Sequence, residues 1–153
     1  MARSASDTLQ QYLEAQSRGT EEALRLVADD AVFDVGRGRY EGYAEIRQFF
    51  ERLRMVNSRS SLLEVRDVSP TEAEAVFEQR DDDLTPLGID AIRLDVRVEV
   101  TDDNRIRKFT ARPTPESIEA LTAARRAGRS SEGLRLAEDA GTIAAEDSAS
   151  LNG

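Results

Sequence analysis

Apolar residues recur at helical spacing near the start of the chain. The spacing predicts a first helix that begins near Ser6 or Asp7, either of which can cap free backbone N–H groups, and that ends at Gly19. The apolar face of this helix is formed by Leu9, Tyr12 and Leu13.

Two further helices are predicted before residue 60. The second runs from a cap at Thr20 to Ala28 and ends at Asp29 and Asp30, with a buried stripe of Ala23, Leu24 and Val27. The third has the most regular pattern, because its apolar residues follow the i, i+3, i+4, i+7 spacing of one helix face, as Ile46, Phe49, Phe50 and Leu53.

The pattern changes to a period of two in the second half of the chain. A short strand, residues 32–35, precedes a glycine turn at Gly36 and Gly38, and four longer strands follow the third helix. They cover residues 62–68, 72–80, 89–100 and 105–111, with a tight turn at 101–104 before the last. Helices followed by antiparallel strands predict an α+β fold.

The C-terminal part of the chain divides into a helix and a tail. Thr114, Pro115 and Glu116 form a helix start, and the helix is expected to end at Gly128. Residues 129–153 are rich in Ser, Ala, Gly, Asp and Glu, so we expect an acidic flexible tail, with a short helix near residues 131–139. The predicted organisation is a flexible N-terminus (1–5), one domain (6–113), a helix (114–128) and the tail (129–153).

Composition removes several classes of chemistry. The chain has no histidine and no cysteine, which excludes a Ser-His-Asp triad, a cysteine nucleophile, a disulfide framework and a zinc–thiolate site. Acid–base chemistry would therefore fall to carboxylates, Tyr, Lys or Arg. The acidic run Asp81–Asp83 lacks the spacing of a calcium loop and is interpreted as a solvated turn, so no metal and no cofactor is expected.

Charge and hydropathy limit the partners. The net charge is −9 with basic and acidic residues interspersed, which argues against a nucleic-acid surface. No apolar run approaches the roughly 20 residues that cross a bilayer, and the N-terminus lacks a signal-peptide core. We expect a soluble, cytoplasmic protein that does not bind membranes.

Two motifs flank the first strand and its turn. Ala28-Asp-Asp-Ala-Val-Phe33 leads into the strand, and Glu41-Gly42 is followed by Ile46, Phe49 and Phe50. Together with the helix and strand order, residues 5–113 resemble the nuclear transport factor 2-like (NTF2-like) superfamily, and within it SnoaL-like proteins, relatives of ketosteroid isomerase and limonene epoxide hydrolase. The resemblance implies a cone-shaped curved antiparallel sheet around the N-terminal helices, an internal apolar pocket, and a homodimer packed through the outer face of the sheet.

Resemblance to ketosteroid isomerase implies a tyrosine on the first helix, a carboxylate base on the first strand and a second acid on a late strand. Tyr12 matches the tyrosine, but the two acid positions read Val35 and Val96. Asp34 and Asp95 are each one residue out of phase, so on regular strands they face away from the pocket, and only a bulge would turn either inward. Val96 and Val98 then face the pocket, while Arg93, Asp95, Arg97 and Glu99 face outward.

Resemblance to limonene epoxide hydrolase implies an Arg-x-Asp motif on the strand at 72–80, supported by a Tyr, an Asn and a second Asp. Arg80 and Asp82 provide the motif, but the supporting positions read Phe33, Val35 and Ala111. The alternative interpretation of Arg80 and Asp82 is a solvated strand end.

Two functions remain open from the sequence. The first is a protein whose pocket binds a small apolar, ring-containing molecule. If it is catalytic, it acts without a cofactor as an isomerase, cyclase or epoxide hydrolase. Tyr12 would then donate a hydrogen bond, and Arg80 and Asp82 would orient the substrate and supply acid or base. Its pocket would be lined by Phe33, Val35, Phe50, Val96 and Val98. The alternative is a non-catalytic ligand-binding or dimerisation module, favoured by the valines at positions 35 and 96.

Overall fold

The computed structural model describes residues 4–36 and 38–136, with side chains as far as residue 128. The helices are α1 (Ala5–Arg18), α2 (Thr20–Leu24), α3 (Gly42–Met55) and α4 (Pro115–Leu136). The strands are β1 (Val27–Asp34), β2 (Arg39–Glu41), β3 (Arg59–Ser69), β4 (Glu72–Arg80), β5 (Ile92–Val100) and β6 (Ile106–Pro113). A 3₁₀ turn, Thr85–Leu87, lies between β4 and β5.

The described residues form one six-stranded sheet in the order β2-β1-β6-β5-β4-β3. Strands β3 to β6 are sequential antiparallel neighbours, as predicted. The sheet as a whole is mixed rather than antiparallel, because β1 pairs parallel with β6 while β2 folds back antiparallel on β1. The predicted α+β cone with a curved sheet is confirmed, and the parallel pairing of β1 with β6 is, among the described strands, the one departure from the antiparallel arrangement.

The helices cover one face of this curved sheet. α1 turns a buried face toward it, formed by Ala5, Thr8, Leu9, Tyr12 and Ala15. On α3, Ile46 and Phe50 are buried and Phe49 and Leu53 are partly buried, which confirms the predicted face. The inward residues of β4 to β6 complete one continuous apolar core.

The cap of α1 lies two or three residues earlier than the expected Ser6 or Asp7. Ser4 is the cap: its hydroxyl accepts a hydrogen bond from Asp7 N (3.2 Å), and the Asp7 carboxylate accepts one from Ser4 N (3.4 Å). Ser6 instead binds across to the sheet, donating from N and Oγ to the Asp67 carboxylate at 2.9 and 3.0 Å. This contact attaches α1 to the edge strand β3.

The predicted end of the second helix is wrong. Val27 and Ala28 belong to β1, and the cap of α2 is Gly19 rather than Thr20. Strand pairing explains the difference, because Val27 lies beside Ile106 of β6, and Ile106 N donates to the Leu26 carbonyl at 2.7 Å. Tertiary pairing thus overrides a local apolar spacing that fits a helix equally well.

The end of α4 also differs from expectation. The helix starts as predicted, with Thr114 Oγ1 accepting from Ser117 N at 3.3 Å, but it continues past Gly128 to Leu136. A glycine in a helix costs only about 1 kcal/mol relative to alanine, which neighbouring helix formers offset. Of the predicted tail, residues 129–136 therefore belong to α4, whereas residues 137–153 lie outside the described residues.

Candidate functional site

Aromatic rings fill the interior of the cone. Phe33 of β1 stacks on Phe109 of β6 with ring centroids 4.9 Å apart and meets Phe50 of α3 edge-on at 5.6 Å. The Tyr12 ring lies 5.8–6.0 Å from all three of these rings. Distances of this size are ordinary aromatic contact, so the space in which the sequence predicted a pocket is occupied by the protein's own side chains.

All five residues predicted to line a pocket belong to this interior. Phe33, Phe50, Val96 and Val98 are buried, and Val35 is partly buried against the same cluster. Their inward orientation is as expected. Their neighbours, however, are other core side chains.

The Tyr12 hydroxyl is held inside the core. Gln16, one turn further along α1, donates from Nε2 to this oxygen at 2.8 Å. Burial raises the pKa of Tyr12 far above its ordinary value, and the Gln16 hydrogen bond opposes this only in part. Near neutral pH the group is a protonated phenol, which can donate a hydrogen bond but cannot act as a base.

We expect the stability of the protein to fall with pH above about 10, because unfolded Tyr12 ionises there while the folded state keeps its proton. The folded state then binds more protons, so the free energy of unfolding decreases by up to about 1.4 kcal/mol per pH unit. Urea denaturation at pH 8 and pH 11 measures this slope. Tyr12→Phe should remove that contribution and Tyr43→Phe should retain it; equal slopes in both variants would contradict the buried phenol.

The hydroxyl of Thr8 is a second polar group in the interior, and the sequence pattern was not interpreted as placing it there. Thr8 lies one turn before Tyr12 on the same buried face of α1, and its Oγ1 is buried without a hydrogen-bond partner among the described residues. Its place at helical spacing among Ala5, Leu9 and Tyr12 is the signal that would have identified it.

At the two expected acid positions the valines lie on the core side of the sheet and the neighbouring aspartates lie on its outer face. Val96 is 3% exposed and points inward, whereas Asp95 is exposed. The pairing of β5 with β4 runs without a register shift from Ile92 to Glu99, so no bulge turns Asp95 inward. On β1, the register irregularity lies before Val32, upstream of Asp34.

Asp34 is held on the outer face of the sheet. Its Oδ1 accepts from Gly36 N at 3.2 Å and lies 3.1 Å from Arg112 Nη2. The Gly36 N–H, followed by the Arg112 charge, lowers the pKa of Asp34. This carboxylate is a charged surface group and not a raised-pKa acid of a buried site.

The structure does not bring Arg80 and Asp82 together with Tyr12. Arg80 Nη2 lies 2.8 Å from Glu78 Oε1, and its Nη1 donates to the Asp90 carbonyl at 3.3 Å. Asp82 Oδ2 accepts from Asn57 Nδ2 at 2.8 Å. Both residues are exposed, Arg80 as the last residue of β4 and Asp82 just beyond it, while Tyr12 is buried in the core.

The acidic run after β4 is a hydrogen-bonded turn. Asp81 Oδ1 accepts from the backbone N–H groups of Asp83 and Leu84 at 3.0 and 3.2 Å. Within residues 4–36 and 38–136, no cluster of three or more acidic side chains is arranged to hold a metal ion. In the same residues, no helix combines the length and apolarity that crossing a membrane requires.

The outer face of the sheet carries a charged groove of about 440 Å³. Across it, Arg66 pairs with Glu74 at 2.6 Å, and Arg97 pairs with Glu72 at 3.0 Å. The Arg66 contact lowers the pKa of Glu74. The lining residues are Glu64, Val65, Arg66, Glu74, Ala75, Val76, Asp95, Val96, Arg97 and Thr110.

No protein-family model and no curated protein sequence matches this chain. Several solved structures, by contrast, are similar to it in fold. The epoxide hydrolase/cyclase-like enzyme SalBIII, described in pyran ring formation in the polyether salinomycin, has a TM-score of 0.64 and 12% identity, covering 74% of this chain and 92% of its own. A polyketide cyclase candidate from Sinorhizobium meliloti has a TM-score of 0.60 and 18% identity, covering 69% of this chain and 94% of its own.

An NTF2-like protein of unknown function from Cytophaga hutchinsonii has a TM-score of 0.60 at 8% identity, covering 77% of this chain and 96% of its own. Likeness at such low identity establishes the NTF2-like α+β cone and not an activity, because one scaffold hosts many functions.

Proposed function

We propose that this chain is a non-catalytic interaction module with the NTF2-like fold. One observation carries the proposal: the cone interior, where a small molecule would have to bind, is occupied by the rings of Tyr12, Phe33, Phe50 and Phe109. In this function the apolar interior stabilises the fold, and the surfaces of the protein bind partners.

The chemistry of the interior supports the same proposal. Proton transfer at neutral pH needs a group that gains and loses a proton there. The interior contains a tyrosine that stays protonated, while Asp34 and Asp95 lie on the other face of the sheet. With valines at positions 35 and 96, the core cluster of the described residues contains no carboxylate that could act as a base.

The partner we propose is a second copy bound through the outer sheet face. Charges of opposite sign alternate across this face, for example at Arg66, Glu74 and Arg97, which pair in sequence across three strands. Such a surface can match its own copy about a twofold axis, where each basic position meets an acidic one.

Val76→Arg is expected to weaken this association at least about tenfold. Val76 lies between Glu64 and Asp95 on neighbouring strands, so an arginine there finds acidic neighbours within its own sheet while its length fills the groove. Sedimentation equilibrium measures the dissociation constant. Val68→Arg, at the β3 edge outside the groove, is the matched control; equal affinity of both variants would reject the sheet-face dimer.

A second candidate function is binding of a small apolar, ring-containing molecule, with Tyr12 as hydrogen-bond donor and Arg80 and Asp82 in the predicted acid–base roles. The specific observation in its favour is that Thr8, whose buried Oγ1 has no hydrogen-bond partner among the described residues, lies one turn before Tyr12 on the same buried face of α1. Similarity to SalBIII, an epoxide hydrolase/cyclase-like enzyme, agrees with it. Binding would require the rings around Phe33 to separate.

Native mass spectrometry of the purified protein separates the two functions. The module predicts only the bare chain mass and its multiples. A co-purifying small molecule that Thr8→Val and Tyr12→Phe release would overturn the module and establish the binding function.

A further inference from the structure

Helix α4 extends well beyond its contact with the rest of the protein. It docks through its first two turns, where Ser117 Oγ accepts from Arg93 N at 2.8 Å and Leu121 packs against Leu84 and Ile92. From residue 122 to Gly128 no residue is buried. The helix has 22 residues and is thus about 33 Å long, and its stretch from residue 122 to Gly128, which is only partly buried at Ala124, Arg125 and Gly128, has little packing to stabilise it.

The side of α4 that faces away from the sheet forms a continuous surface. Ile118, the largest apolar side chain on this surface, is 51% exposed. The exposed face consists of Ile118, Glu119, Thr122, Ala123, Arg126 and Ala127. Small residues at its centre allow another helix to approach closely.

This exposed face is complementary to itself in one antiparallel register. A twofold axis between Thr122 and Ala123 places Glu119 of one copy against Arg126 of the other and brings Ile118 to the level of Ala127. The Glu119–Arg126 contact occurs twice in the symmetric pair.

We propose that α4 is a homotypic docking helix, against which α4 of a second copy packs antiparallel about the axis between Thr122 and Ala123. The proposal goes beyond the sheet-face association, because it uses a different element, the helix α4. A uniformly basic groove or a uniformly anionic surface is a poorer partner than a second copy. This face carries both an acidic residue, Glu119, and a basic residue, Arg126, so a partner of a single charge would repel one of them.

A cysteine placed at the axis reports this contact directly, because the chain has no cysteine of its own. Ala123→Cys in the full chain should form a disulfide-linked dimer in a glutathione redox buffer. Glu14→Cys, on α1 with a 70% exposed side chain, is the matched control and should link far more slowly. Equal linkage rates for the Ala123→Cys and Glu14→Cys variants would overturn the proposal, whether or not the protein also dimerises through its sheet face.

Charge reversal in the Ala123→Cys background tests the register. Glu119→Arg and Arg126→Glu should each slow linkage about tenfold, because each creates two like-charge contacts per pair. The double reversal should restore linkage to within about threefold, since it exchanges the two partners. Single reversals without effect, or a double variant as slow as the singles, would overturn the register. Val76→Arg should leave linkage unchanged, which separates this proposal from the sheet-face dimer.

Discussion

Replacing Phe33 by alanine is expected to lower the free energy of unfolding by about 3–5 kcal/mol. Phe33 is fully buried and its ring is the centre of the aromatic cluster, with the rings of Phe109, Phe50 and Tyr12 at 4.9, 5.6 and 6.0 Å. The substitution removes these contacts and leaves a cavity that four different elements would have to collapse to fill.

Urea denaturation at pH 7 measures the loss. Because the total stability of a domain is only about 5–15 kcal/mol, Phe33→Leu provides a milder variant that should lie between alanine and the wild type. Met55→Ala, at an 81% exposed position, should change stability by less than about 0.5 kcal/mol. A Phe33→Ala loss near that of Met55→Ala would mean that the interior is not packed as described.

Val96→Asp is expected to destabilise the protein by at least about 3 kcal/mol at pH 7, since it buries a carboxylate without a cationic partner. Val96 is 3% exposed, and its strand neighbours Ala75 and Ala111 are buried. The variant restores the acid that the resemblance to ketosteroid isomerase implies at this position, but in an interior that offers it no solvation.

The loss should depend on pH in a defined direction. Burial raises the folded-state pKa of the new carboxyl above its unfolded value, so the folded state holds the proton more tightly and the penalty grows as pH rises. The difference in unfolding free energy from the wild type should therefore be smaller at pH 4.5 than at pH 7. Val68→Asp, at a 45% exposed position of β3, should show little loss at either pH; a similar small loss for Val96→Asp would place residue 96 on the outer face.

Local pattern was sufficient where one face of an element is buried along its whole length. β4 has the predicted bounds, because Ala73, Ala75 and Phe77 are buried, the residues between them are only partly buried, and a slip of one residue would turn all three outward. On β5 the alternation of apolar and charged residues was sufficient to predict the inward position of Val96 and the outward position of Asp95.

Pattern failed where distant partners decide the conformation. Val27 and Ala28 fit a helix stripe and a strand equally well, and β6 selects the strand. The three residues of β2 are too few to show a period, and they form a strand because β1 pairs with them. The helix α4 continues through Gly128 because no proline or cap stops it there.

The candidate site was harder to predict than the fold. Sequence spacing indicated that Phe33, Phe50 and Tyr12 point inward, but not that their rings meet, because they come from three elements whose separation only the folded chain determines. For the same reason the spacing of Arg80 and Asp82 could not reveal that each binds a different neighbour, Glu78 and Asn57.

The parallel pairing of β1 with β6 has a consequence for biosynthesis. At a translation rate of roughly 5–20 residues per second, about 4–15 s pass between the synthesis of β1 and the synthesis of its partner strand β6. In that interval the nascent chain has β1 and β2 but lacks the strand that joins them to β3–β5, so Val27 and Phe33 stay exposed to chaperones and to neighbouring chains. Fragments that stop before residue 106 are therefore expected to aggregate, because the central strand that joins the two parts of the sheet is made last.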